Sequence, residues 1–301
     1  MSRAKIAKQM IDYLEKKINC ENVMKFADKA KDESNDESND ESNDESKDES
    51  KDESNDESKD ESNDESNDDS ILQKILIDGL FVAFQIIAYN DIEGYIQKNE
   101  TDLKDTKWLK NTFNTYDIMT EANHTGFEYF TYLYGVLNCH NKENSKLYIF
   151  YEYFGANVIK LIDNIEHPSE WYDLVFQIIL INYFFQTNNY IYHNATLENH
   201  YYKRLEKPFY KEYLLGNHNF KINHKYLMVL DPMVRIDESI DEDVDSTNIS
   251  YLLKYIGENK DKMKTPPSPR IIKMLNDVLE KPSDTPNILN QYYNSSQKIT
   301  I

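Results

Sequence analysis

Apolar residues recur along the chain at spacings that predict the type of each element. Near the start, Ile6, Met10, Leu14 and Ile18 repeat every four residues, which is the stripe of an amphipathic helix. Such a stripe either binds a partner or packs back on the domain, and packing is the more common use. Residues 71–89 carry a similar helix-like pattern, so we predict a buried helix there.

The second half of the chain gives sharper signals. Residues 147–154 are a short apolar and aromatic run that ends at Gly155, which is typical of a buried strand. Pro168 then begins a long segment that is apolar nearly all round. This pattern predicts a helix in the middle of a domain, with Ser169 as its N-cap.

A hairpin and two helices are predicted after this segment. Residues 209–215 and 220–222 flank the sequence Gly216–Asn219, whose composition is typical of a hairpin turn. An apolar run at 226–230 predicts a further strand. Residues 250–280 have a helical pattern with three closely spaced prolines in its middle, so we predict one helix on each side of them.

Residues 31–70 contain no apolar side chain. They are ten tetrapeptides of the form Lys/Asn-Asp-Glu-Ser, the last of which reads Asn-Asp-Asp-Ser. Such a segment cannot bury a core, so we predict a disordered linker that like-charge repulsion extends. We therefore divide the chain into an N-terminal helical segment at 1–30, the acidic repeat at 31–70, and one domain at 71–301.

The acidic repeat holds most of the net charge. It contains 20 acids and four lysines, a net of −16, whereas the other 261 residues contain 34 acids and 30 bases, a net of −4. A nearly neutral domain without a basic cluster is not expected to bind nucleic acid. Nine serines of the repeat have an acid three residues downstream, which resembles the sites of casein-kinase-type enzymes. We expect a charge-tunable tail that binds protein partners; the alternative is an inert spacer.

Neither a membrane span nor a secretory signal is predicted. The two most apolar segments, 71–89 and 171–185, are interrupted by polar or charged residues, and charges recur throughout the N-terminal helix. Cys20 and Cys139 are too few for a disulfide framework, which makes a reducing compartment the default. We therefore predict an intracellular protein, in a host cytoplasm or a virion if the chain is viral.

Three patterns in the sequence are candidates for a metal or catalytic site on the basis of their residue types alone. His193 could be a metal ligand or the base of a nucleophile, but the chain has neither Gly-x-Ser-x-Gly nor His-Glu-x-x-His. His218 and His224 lack a carboxylate at ligand spacing, and the acidic run 237–245 lacks the glycine and the terminal glutamate of an EF-hand loop. Structural histidines and a solvated loop are the favoured interpretations.

The order of the predicted elements resembles the large lobe of a protein kinase. A strand and a glycine precede a buried helix, a histidine-containing loop, a hairpin, an apolar strand and an aspartate. The resemblance covers roughly residues 125–301, with the large lobe from about 147. It looks most like divergent serine/threonine kinase-like proteins of giant amoebal viruses of the mimivirus type. It implies an α+β fold with a reduced small lobe; a helical bundle or repeat fold is the alternative.

The resemblance also implies roles for individual residues. Three residues stand where the hinge backbone of a kinase pairs adenine: Glu152, Tyr153 and Phe154. Three more stand in the segment that is similar to the catalytic loop: His193, Asn194 and Glu198. Two stand at positions similar to those of the magnesium ligands: Asn199 and Asp231. ATP and Mg²⁺ are the cofactors that an active enzyme of this kind would use.

The departures from the kinase pattern fall on the residues that carry out the chemistry. The catalytic base would stand two residues after His193, where the chain has Ala195, and Asn199 comes one residue too early. No glycine-rich loop is present, and the segment nearest to Val-Ala-x-Lys ends in Gln85. Without a glycine-rich loop and a lysine to bind the phosphates, few groups remain that could position ATP for phosphate transfer.

We therefore expect a degenerate kinase-like protein, a pseudokinase that acts in binding or regulation, with nucleotide binding weak or absent. One alternative is a divergent active kinase that uses Asp231 for magnesium and Glu198 in place of the missing base. The other alternative is a structural or virion protein that neither binds nucleotide nor transfers phosphate.

Overall fold

A computed structural model describes most of the chain outside the acidic repeat. The described residues are 3–23, 25, 71–77, 80–89, 114–115, 117–139, 145–192, 196–230, 236–238 and 248–296. They belong to two compact units, which are presented separately. The first unit takes in Met1–Glu100 and Leu133–Tyr153, and the second takes in Thr101–Tyr132 and Phe154–Ile301.

A four-stranded antiparallel sheet forms the body of the first unit. Its strands are Ile71–Ile77 (β1), Leu80–Tyr89 (β2), Leu133–Cys139 (β3) and Ser145–Glu152 (β4). They are arranged in the order β1-β2-β4-β3, so β2 pairs with β1 on one side and with β4 on the other. The strand predicted at 147–154 is confirmed as β4.

The helix predicted for residues 71–89 is wrong, because this segment forms β1 and β2. The register pairs Ile77 with Leu80, which leaves only Asp78-Gly79 between the two strands. Asp-Gly between two apolar runs is a strong hairpin signal. Most residues of both strands are β-branched, leucine or aromatic, and periodicity alone does not distinguish such a run from a buried helix.

The amphipathic helix predicted near the N-terminus is confirmed as Arg3–Lys17 (α1). Its buried stripe, formed by Ala7, Met10 and Leu14, packs on β3. The packing interpretation of the stripe is therefore correct for these residues, and α1 is part of the first unit.

A disulfide bond joins Cys20, just beyond α1, to Cys139 at the end of β3, with the two Cα atoms 5.4 Å apart. The sequence did not predict this bond, because two cysteines separated by 119 residues show no pattern that pairs them. Two cysteines are too few for a framework of several bonds, but they form this single one. The helix is thus held on the sheet both by apolar packing and by a covalent bond.

The second unit is organised around a long buried helix, as the sequence predicted. Helix Val158–Asp163 (α2) precedes helix Pro168–Thr187 (α3), of which 13 of 20 residues are buried. The predicted cap is wrong: Ser169 lies inside α3, and His167 occupies the N-cap without a side-chain cap bond. Pro168 at the first helical position sets the backbone for the helix without losing a hydrogen bond.

Short strands flank a long hairpin in this unit. Ala156–Asn157 (β5) pairs with the start of the hairpin, and Tyr190–Tyr192 (β6) pairs with Ile236–Glu238 (β9). The hairpin itself consists of His200–Leu215 (β7) and His218–Leu230 (β8). The separate short strands predicted for residues 209–230 are therefore parts of two long ones.

Side chains of β8 alternate between the two faces of the hairpin. Phe220, Ile222, His224, Tyr226 and Met228 are buried, and the strand contacts α3. The hairpin turns at Gly216, whose φ of 56° lies in the left-handed region that glycine adopts without strain.

Three helices complete the described part of the second unit: Asn248–Asn259 (α4), Pro269–Glu280 (α5) and Thr285–Ser296 (α6). The two helices predicted around the proline cluster are confirmed as α4 and α5. Trp171, Phe176 and Phe220 are among the largest fully buried side chains, so the core of this unit lies between α3 and the hairpin.

Candidate functional site

The structure describes part of the segment that resembles a catalytic loop. His193, Asn194 and Asp231 lie outside the described residues. Glu198 and Asn199 lie in the 3₁₀ turn Leu197–Asn199, which connects β6 to β7. Of the residues implied to hold magnesium, only Asn199 is therefore described, and Glu198 is exposed.

The residues implied to form a hinge follow directly from β4. Glu152 is the last residue of β4, and the division between the two units falls between Tyr153 and Phe154. The carboxylate of Glu152 accepts two bonds from Arg3 of α1, from Nε at 3.0 Å and from Nη2 at 2.7 Å. Both side chains are 14% exposed. The N-terminal helix therefore binds the first of the three hinge-like residues by a two-point ion pair.

A cavity of about 200 Å³ opens beside Glu198. It lies among α2, the 3₁₀ turn and α4, and its polar lining consists of Thr196, Glu198, Tyr251, Lys254, Tyr255 and Glu258. The hydroxyl of Tyr255 donates to Asp163 at 2.8 Å, and burial, assisted by this bond, raises the pKa of Tyr255 to about 12. Two carboxylates, one ammonium and two phenols give the cavity a net negative charge.

A chain of polar side chains links the buried Tyr129 to α3 through both strands of the hairpin. The hydroxyls of Tyr129 and Tyr213 are 2.5 Å apart, and the Tyr213 hydroxyl lies 2.5 Å from Nε2 of His224. Nδ1 of His224 lies 2.6 Å from Oδ1 of Asp173, and both of these side chains are buried. Burial raises the pKa of Tyr213 above its usual value.

The same part of α3 also bonds the backbone of β8. Oδ2 of Asp173 accepts from the N–H groups of Lys225, at 2.7 Å, and Tyr226, at 3.2 Å. Gln177 donates to Asp173 and to the carbonyl of Tyr226, and it accepts from the N–H of Met228 at 2.9 Å. Two helix side chains thus provide the hydrogen bonds that a neighbouring strand would otherwise make to β8.

This network holds the hairpin on the helix. Asp173 and His224 are 4% and 2% exposed, so no substrate can reach them, although the arrangement of aspartate, histidine and tyrosine would suit proton transfer. A buried carboxylate is costly unless charged or polar donors satisfy it, and here four donors do so. We assign the network to the architecture of the site and not to chemistry.

Sequence reasoning did not identify this network. Asp173 and Gln177 are polar interruptions of the apolar segment 171–185, and two polar residues four apart on a buried helix require partners. His224 has no carboxylate nearby in the sequence, and its carboxylate partner is Asp173, 51 residues upstream. His218 instead pairs with Asn287 at 2.7 Å.

His200 is the first residue of β7 and is fully buried beside the 3₁₀ turn. Its Nδ1 donates to the carbonyl of Thr196 at 2.9 Å, and its Nε2 has no hydrogen-bond partner in the described part of the chain. Burial lowers the pKa of His200 to about 4. The imidazole is therefore neutral in the folded protein at physiological pH.

We expect the stability of the fold to decrease below pH 6.5 because of His200. The unfolded chain takes up a proton near pH 6.5 and the folded chain only near pH 4, so stability is complete above 6.5 and is lost as pH falls. The loss between pH 7 and pH 5 amounts to about 2 kcal/mol. Urea unfolding of a His200→Gln variant at both pH values should lack this component, whereas His218→Gln should retain it.

No described helix is both long and apolar enough to cross a bilayer. No cluster of three or more histidine, cysteine, aspartate or glutamate side chains that could bind a metal ion occurs among the described residues.

The chain is similar along nearly its whole length to a protein of a giant virus. No protein-family profile matches the chain. An uncharacterized protein of Acanthamoeba polyphaga mimivirus is 38% identical over 307 aligned positions, which cover 97% of this chain and 99% of the relative. Identity at this level over two chains of nearly equal extent shows common ancestry, and the chain belongs to the same protein family as this mimivirus protein.

Proposed function

We propose that the chain is a kinase-like protein that binds a partner and does not transfer phosphate. The proposal joins the expected kinase-like α+β fold to the departures at its catalytic positions. Because resemblance of fold does not establish function, the argument depends on individual positions.

The order of elements supports the kinase-like part of the proposal. Strand β4 leads through the hinge-like residues to α2 and the buried helix α3, and β6, the 3₁₀ turn and the hairpin β7–β8 follow. Asp231 comes directly after β8, in the position similar to that of the metal-binding aspartate of kinases. The pairing of β6 with β9 brings the segment after Asp231 back beside the strand that precedes the loop.

The observation that carries the non-catalytic part is the composition of β2. This strand pairs with β4, the strand before the hinge-like segment, as the lysine-bearing third strand of a kinase would. Its ten residues include neither lysine nor arginine, and Gln85, which pairs with Ile149, stands at the end of the Val-Ala-x-Lys-like segment. A neutral amide cannot neutralise phosphate charge as an ammonium does.

The cavity beside Glu198 is the binding site that we propose for the partner. The negative charges of Glu198 and Glu258 outnumber the one positive charge of Lys254, and Tyr251 adds an aromatic ring. Carboxylates and an aromatic face together suit a guanidinium or ammonium group. We therefore propose that this cavity takes an arginine or lysine side chain of a protein partner.

Phosphate transfer tests the non-catalytic proposal. With ATP and Mg²⁺ at millimolar concentration we expect no labelled phosphate on the chain or on a generic substrate. We also expect the nucleotide to stabilise the folded chain, as measured by thermal shift, by much less than the roughly 2.7 kcal/mol that a ligand at 100 times its Kd provides. Phosphate transfer that is abolished by Asp231→Ala would show an active kinase and overturn the proposal.

Binding of a short peptide tests the cavity separately. A labelled peptide with one arginine among neutral residues should bind the chain, and its anisotropy gives the Kd. We expect Glu198→Gln and Glu258→Gln each to weaken binding by roughly tenfold, because each removes one of the two lining carboxylates. Glu280→Gln, at an exposed position on α5, is the matched control and should leave the Kd unchanged. If all three variants change the Kd equally, the cavity is not the binding site. The proposal that the chain does not transfer phosphate would still stand.

A further inference from the structure

The hairpin β7–β8 is a basic element in an otherwise acidic unit. It contains six cations, Lys203, Arg204, Lys207, Lys211, Lys221 and Lys225, and two acids, Glu206 and Glu212, a net of +4. The other described residues of the second unit contain 15 acids and eight bases, a net of −7. The sequence expectation of a domain without a basic cluster therefore fails once the strands are paired.

The hairpin also exposes apolar side chains next to these cations. Of the five large hydrophobic side chains that are exposed in the described part of the protein, three lie on β7. Leu214 and Tyr210 are 76% and 66% exposed, and Nζ of Lys221 lies 5.4 Å from the centre of the Tyr210 ring. Lys203 and Lys207 are exposed and form no ion pair within the described residues. An exposed aromatic ring beside an ammonium group, on a strand with further exposed lysines, is typical of an interaction surface.

We propose that this hairpin binds the acidic repeat, residues 31–70, of a second copy of the chain. The repeat carries a net charge of −16, which complements the +4 of the hairpin. Lys203, Lys207 and Lys211 follow one another at intervals of four residues, which is also the period of the repeat. The match is one of sequence interval, because the register of β7 with β8 shifts between Arg204 and Phe209, and it offers one Asp-Glu pair of the repeat to each lysine.

Two features favour a second copy as the occupant. The repeat offers ten tetrapeptides, whereas β7 offers three lysines at this interval, of which Lys211 also lies 3.7 Å from Glu128. One repeat therefore has tetrapeptides left for the hairpins of other copies. A nucleic acid is disfavoured because the 20 acids of the repeat repel a phosphate backbone and compete for the same lysines. The proposal does not depend on whether the chain transfers phosphate.

Self-association of the full chain tests the proposal. Sedimentation velocity should show association that grows with concentration at about 30 mM salt and disappears at about 300 mM, where screening is strong. The double variant Lys203→Glu/Lys207→Glu should weaken association by at least roughly tenfold. The control Lys260→Glu/Lys281→Glu makes the same charge change at exposed positions outside the hairpin and should leave association within about twofold.

Mixing two variants tests whether the contact is made between copies. A chain whose residues 31–70 are replaced by an uncharged Gly/Ser linker of equal length keeps the hairpin, and the hairpin variant keeps the repeat. Each alone should associate at least roughly tenfold more weakly than the wild-type chain, and together they should form a heterodimer. A full chain that stays monomeric at low salt overturns the proposal, even if the linker variant binds a free (Asn-Asp-Glu-Ser) peptide. Tighter binding of the linker variant to a single-stranded oligonucleotide than to that peptide would overturn it in favour of nucleic acid.

Discussion

An Asp173→Ala variant is expected to lose about 3–5 kcal/mol of unfolding free energy, because it leaves several buried donors without their acceptor. Asp173 receives hydrogen bonds from His224, from Gln177 and from the N–H groups of Lys225 and Tyr226. Its removal leaves two backbone donors and one imidazole buried without an acceptor. Urea unfolding followed by circular dichroism measures the loss.

The comparison that isolates this effect is Asp163→Ala. Asp163 accepts one side-chain bond, from Tyr255, in a partly buried position, so its loss should cost at most about 1 kcal/mol. A double-mutant cycle between Asp173→Ala and His224→Gln should show a coupling of about 1–3 kcal/mol. Equal losses for Asp163 and Asp173, or additive effects in the cycle, would mean that the network does not hold the hairpin on α3.

A Cys139→Ser variant is expected to cost the first unit about 4 kcal/mol of stability. The bond closes a loop of 119 residues, and a cross-link stabilises mainly by reducing the conformational entropy of the unfolded chain, more so for longer loops. Reduction of the wild-type protein should have the same effect, and it should be readily achieved because Cys20 is exposed. Denaturation with and without reductant measures the difference.

The double variant Cys20→Ser/Cys139→Ser serves as the control. Because both substitutions remove the same bond, its stability should equal that of the single variant, and reductant should leave it unchanged. If the oxidised and reduced wild-type proteins unfold at the same urea concentration, the disulfide bond does not contribute to stability. Titration of free thiols then establishes whether the bond was present before reduction.

Elements with local signals could be predicted from the sequence. Each of these signals lies within one continuous segment of the chain. They are the apolar stripe of α1, the nearly uniform apolar character of α3 and the turn at Gly216. The segment 71–89 was misread because a continuous apolar run fits a buried helix and a buried strand equally well. Only the Asp78-Gly79 dipeptide marked the hairpin there.

The site depended on pairings that no local pattern reveals. Glu198 was proposed from its place in the loop, but its neighbours in the cavity come from α2 and α4, about 40 to 60 residues away in sequence. Asp173 and His224 meet across 51 residues. The basic hairpin was hidden because its lysines alternate with acids and aromatic residues along the chain, and only the pairing of β7 with β8 brings them together.

The bond between Cys20 and Cys139 also determines what a protease can release. The acidic repeat lies entirely within the covalent loop that this bond closes. A cut anywhere in the repeat therefore yields two polypeptides that remain joined through sulfur, with α1 still attached to the strand that bears Cys139. Cleavage and separation become two chemical events, one hydrolytic and one reductive, and the N-terminal fragment is released only after both have occurred.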